Sequence, residues 1–109
     1  MRLYENTAGQ FELVLQAGTT GVDDLIEQLG HEPNGYFWEG AAQLLVGAQA
    51  PALADRLTYD PEGGMFVAYS HDRTALEELE KLMAPVVTSE VHLRQLISSA
   101  QATDFIFDD

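Results

Sequence analysis

Cysteine is absent from these 109 residues. That excludes disulfides, thiolate nucleophiles and thiolate-ligated metals. Basic residues are scarce: five Lys and Arg face eighteen Asp and Glu, for a formal net charge of -13. Between Arg2 and Arg56 there is no Lys or Arg, yet that segment carries Glu5, Glu12, Asp23, Asp24, Glu27, Glu32, Glu39 and Asp55. Such a surface repels nucleic acid and anionic lipid, and it steers basic partners inward. It also serves plain solubility. No window approaches the ~18 apolar residues of a membrane span. The opening Met1-Arg2-Leu3-Tyr4-Glu5 lacks the apolar core of a signal peptide. A soluble cytoplasmic chain that touches neither nucleic acid nor membrane is the expectation.

The apolar share is 46%, enough for a globular core. A chain of this length buries roughly two-thirds of its unfolded surface, and one domain over residues 1–109 is the natural reading. Phe11 to Gln16 alternates as a strand, with Phe11, Leu13 and Leu15 on one face. Leu3 and Tyr4 suggest a short strand before it, joined through Asn6-Thr7-Ala8-Gly9. Thr20, with Asp23 three residues on, signals a capped helix whose stripe is Val22, Leu25, Ile26 and Leu29. Gly30 is its expected left-handed stop.

A second helix runs from Tyr36 to about Gln49, with Phe37, Ala41, Leu44, Leu45 and Ala48 on one side. Gly40, Ala41 and Ala42 permit a close neighbour. Pro51 ends this helix, with one further turn possible before Asp55. Leu57-Thr58-Tyr59 and Met65 to Tyr69 flank Asp60-Pro61-Glu62-Gly63-Gly64, a hairpin signature. Met65, Val67 and Tyr69 share one face; Phe66 and Ala68 share the other. Asp72 caps a third helix, which Pro85 is expected to stop, and Ser89 caps a fourth. Phe105-Ile106-Phe107 alternates and predicts a short final strand. The fold class is α+β: a small antiparallel sheet with a central β-hairpin, packed against about four helices.

Catalytic equipment is sparse. No serine sits in a Gly-x-Ser-x-Gly elbow. His31, His71 and His92 lack metal-ligand spacing, so no metal or cofactor is expected. An acid/base or metal-dependent hydrolase would require His31, Glu32, His71 and Asp72 to converge. A third reading is an acidic self-associating module, its Phe105–Phe107 tail pairing across chains. The richest stretch is Gly30 to Gly40. It holds the one Trp inside the run Tyr36-Phe37-Trp38, beside Glu32, Asn34 and Glu39. Asn34-Gly35 reads as a positive-φ turn. Trp38 reads as core first and as an exposed anchor second. Glu32, Asn34, Tyr36, Trp38 and Glu39 are the candidate partner contacts.

The stretch Glu27-x-Leu29-Gly30-His31-Glu32-Pro33-Asn34-Gly35-Tyr36-Phe37-Trp38-Glu39-Gly40 resembles the signature of the immunity protein 51 family of bacterial polymorphic toxin systems. Ala54-Asp55-Arg56-Leu57, Tyr59-Asp60-Pro61-Glu62, Gly64-Met65-Phe66-x-Ala68-Tyr69, Asp72-Arg73-x-Ala75-Leu76 and the Phe105 to Asp109 tail fit as well. The resemblance covers the chain from about Val22 onward. It implies an α+β protein that binds and neutralises a cognate toxin domain; together with the acidity and the sparse catalytic groups, the expectation is a non-enzymatic inhibitor of, for example, a basic nuclease. It leaves the toxin's identity and the oligomeric state open.

Overall fold

The computed structural model describes residues 1–6 and 9–109. Strand β1 (Arg2–Glu5) pairs antiparallel with β2 (Phe11–Gln16). The turn expected at Asn6-Thr7-Ala8-Gly9 lies partly outside the described residues. Helix α1 spans Asp23–Gln28 and α2 spans Gly35–Gln49. A 3-10 turn at Pro51–Arg56 leads to β3 (Thr58–Tyr59), which pairs with β4 (Met65–Ser70). Helices α3 (Arg73–Thr88) and α4 (Glu90–Ala102) follow, and a tail runs on to Asp109. The sheet order is β1-β2-β4-β3, all antiparallel. The α+β expectation holds.

The central contact is β2 against β4, registered Leu13 with Ala68 and Leu15 with Phe66. Period-2 alternation puts these four on one face. There they join Phe37, Trp38, Ala41, Leu76, Leu79 and Met83 in one core. Helices α2 and α3 therefore cover the inner face of the sheet and leave the other face open.

Several local expectations are revised. Thr20 bonds the Asp23 carboxylate and the Val22 amide, but α1 begins only at Asp23, without a side-chain cap. The buried face of α2 is Phe37, Trp38, Ala41, Ala42, Leu45 and Val46; Leu44 is half-buried and Ala48 exposed. The helix faces the sheet and α3 on adjoining sides, which rotates its apolar stripe. Pro85 does not stop α3, which continues to Thr88. Proline removes one ladder bond, whereas continuing the helix seats Val86 in the core. The tail after Ala102 forms no strand, since its backbone finds no sheet edge and its rings find α2 instead.

Candidate functional site

Helix α2 starts at Asn34, whose backbone is extended (φ -122°, ψ 175°) and whose Oδ1 accepts from the Phe37 amide at 2.9 Å. The expected positive-φ turn is thus an N-cap. Asn side chains compete well for the unpaired amides of a first turn. Gly35 is required for another reason: its N–H donates to the Gly63 carbonyl, and the Glu62 and Met65 carbonyls press where a Cβ would sit. The entrance to α2 is thereby locked to the β3–β4 hairpin.

The C-terminal tail locks it from the other side. Phe107 is buried, stacked on Phe37 (4.8 Å between centroids, 18°) and edge-on to His31 (4.9 Å). Its ring lies over Gly40, where a Cβ would fall 2.6 Å from it. The close approach read from Gly40-Ala41-Ala42 is made by this ring. His31 Nδ1 donates to Asp109 Oδ2 at 3.0 Å, since a carboxylate only accepts. The Glu32 amide donates to the same oxygen at 2.7 Å, and Asn34 Nδ2 donates to the Asp109 carbonyl at 3.3 Å.

Around this rigid junction lies a rim of acids and aromatics. Glu32 and Tyr36 are exposed; Asn34 and Glu39 are half-buried. Trp38 is 0% exposed and belongs to the core, so it offers no surface for direct contact. Burial, then the Asp108 carboxylate, pushes the Glu39 carboxyl above the usual carboxylate range. Burial, then Glu39, pushes the Tyr59 phenol up to about 12. Asp108, Asp109 and Tyr59 join the site only through tertiary contacts. The sequence signals for the first two were the alternation of the tail and its fit to the family motif.

Tyr59 yields a pH test. Its folded value exceeds the ordinary 10, so its contribution to stability is complete below pH 10. That contribution is lost as pH rises towards about 12. A phenolate absorbance titration should show late ionisation of Tyr59 and Tyr69, and Tyr59→Phe should remove the latest step together with the stability loss above pH 10. A titration that Tyr59→Phe leaves unchanged would reassign the latest step.

The hydrolase arrangement does not form. His31 is engaged by Asp109 and Phe107. His71 is exposed beside Gln10, at 3.5 Å. Asp72 caps α3 and pairs with Arg56 at 3.0 Å. No hydrogen bond or ion pair joins the two His-acid pairs. Among the described residues, no three His, Asp or Glu side chains gather into a metal-binding group. In the tail expected to pair across chains, Phe107 is buried within its own chain and Ile106 is 86% exposed. A separate groove of about 650 Å³ lies between α2, α3 and α4, lined by Leu44, Ala48, Leu82, Leu96 and Phe105, with Lys81 and His92.

Residues 1–102 match the immunity protein 51 family. The chain belongs to this family. Its members are immunity proteins of toxin systems, so a toxin is the implied partner. The match includes strands β1 and β2, which the motif resemblance left out, and stops before the Phe105 to Asp109 tail. No curated protein and no solved structure matches the chain. Among the described residues, no helix is long and apolar enough to cross a membrane.

Proposed function

We propose that this protein neutralises a cognate toxin domain in the cytoplasm by non-catalytic occlusion. The observation that carries this reading is the acidic and aromatic rim on the doubly locked entrance of α2. Exposed Tyr36 and Glu32, with half-buried Asn34 and Glu39, are held by Asn34 capping on one side and the Phe107 ring on the other. Side chains on a rigid support lose little entropy when a partner binds. A net charge of -13 favours a toxin with a basic surface, such as a nuclease.

Co-expression with the toxin encoded beside it tests the proposal. Cells should survive with this protein and die without it, and the two proteins should co-purify. The association rate should fall steeply with added salt, by about tenfold or more between low and high ionic strength. Tyr36→Ala and Glu39→Ala should weaken binding while leaving the melting curve in place. Failure of rescue by well-folded protein would remove the proposal. A salt-independent rate would remove only its electrostatic part.

A further inference from the structure

The open face of the sheet presents a row across all four strands. The register places Tyr4 opposite Glu12, Glu12 opposite Tyr69, and Tyr69 opposite Thr58. Tyr4 is 43% exposed and donates to Glu12 Oε1 at 3.3 Å. Half-buried Val14 and buried Val67 fill the middle of the face, and Gln16 opposite Met65 extends it. Arg2 is its one Lys or Arg side chain, beside Val14. Asp60 and Glu62 are exposed in the hairpin turn at its border. Two backbone bonds stiffen that turn: the Asp60 amide to the Val67 carbonyl (2.9 Å) and the Glu62 amide to the Met65 carbonyl (2.8 Å).

These groups are electrostatically joined. Burial raises the Tyr69 phenol, and Glu12, Asp60, Tyr4 and Glu62 raise it further. Across β3, Tyr59 feels Glu39, and Glu39 feels Asp108. The Gly35 amide bonds the Gly63 carbonyl of the hairpin turn, so the acids of the α2 entrance border Asp60 and Glu62 at the edge of the outer sheet face.

We propose that the basic surface of the toxin docks across this outer face and around β3. Tyr4 and Tyr69 are its aromatic contacts, and Glu12, Asp60 and Glu62 meet its Lys and Arg side chains. The inference rests on the toxin-binding reading above and specifies its surface. Two quantities favour it. Strands ~4.8 Å apart, rising ~3.3 Å per residue over four, six, two and six residues, give the sheet face an area of roughly 290 Å². A standard interface covers about 800 Å² per partner. The sheet face supplies about a third, and the hairpin turn and the α2 entrance bonded to it border the rest. Tyrosines on strands are also rigid anchors of the kind that dominate binding energy.

The test uses the full chain and the toxin encoded beside it. Three variants are compared with wild type: E12K/E62K and Tyr69→Ala on the outer face, and E77K/E78K on the exposed side of α3. The two double variants change the charge equally. Glu62→Lys alone, in an exposed turn, serves should E12K/E62K melt early. E12K/E62K should weaken binding by about 30-fold or more and Tyr69→Ala by about tenfold, with E77K/E78K within about threefold of wild type. Equal losses in both double variants would mean that net charge alone matters, and would overturn the docking face. Unchanged binding in the outer-face variants would place the toxin elsewhere and overturn it too. Wild type that neither binds nor rescues would end the toxin-binding reading itself, and this inference with it.

Discussion

Trp38→Ala is expected to cost about 3–5 kcal/mol, the range for removing a large buried aromatic. Domains of this kind carry about 5–15 kcal/mol in total, so the variant should be close to unfolding at ambient temperature. Trp38 is 0% exposed and meets Phe37 edge-on at 5.2 Å between centroids. Its truncation leaves a cavity where α2 meets the sheet. Urea unfolding measures the loss. Trp38→Phe should cost much less. It keeps most of the ring volume and also removes Nε1, a buried donor with no acceptor among the described residues. An unsatisfied buried donor costs about 1–3 kcal/mol, which partly offsets the lost packing. A Trp38→Ala variant that melts like wild type yet loses the partner would show that Trp38 acts as a contact.

Gly35→Ala should be nearly as damaging, although it adds one methyl group. The new Cβ would overlap the Glu62 and Met65 carbonyl oxygens, which are backbone atoms and do not rotate away. Overpacking typically costs about 1–3 kcal/mol and sometimes more. Here the clash also separates the Gly35 amide from the Gly63 carbonyl, so a cost at or above about 3 kcal/mol is expected. Gly47→Ala is the control within the same helix. No atom lies within 4 Å of its added Cβ, and alanine in a helix interior gains roughly 0.5–1 kcal/mol over glycine. The two substitutions should shift the urea midpoint in opposite directions. Equal shifts would mean that the hairpin does not press on Gly35.

The candidate site was partly legible before any contact was known. Glu32, Asn34, Tyr36 and Glu39 do cluster at the α2 entrance, because they are neighbours along one helix start. Their support was not legible. Asp109 reaches His31 across 78 positions, and no local pattern connects the two. The row formed by Tyr4, Glu12 and Tyr69 was within reach of the sequence only in pieces. Alternation in β2 and β4 marks each outward face, but the pairing that aligns those faces is long-range. Pro85 carries a real local penalty, and the tertiary packing that seats Val86 in the core overrides it.

Composition, alternation and helical spacing by themselves determined the acidic character, the strand–helix–hairpin–helix order, the caps at Asp72 and Ser89, and the family motif. These depend on side-chain charge and on interactions within about one helical turn, which the chain carries wherever it goes. Tertiary structure alone decided that β2 lies beside β4, that α2 turns Trp38 inward and Tyr36 outward, and that the tail seats Phe107 over Gly40. Each is a competition among surfaces distant in sequence, won by the packing that buries the most apolar area while pairing its polar groups.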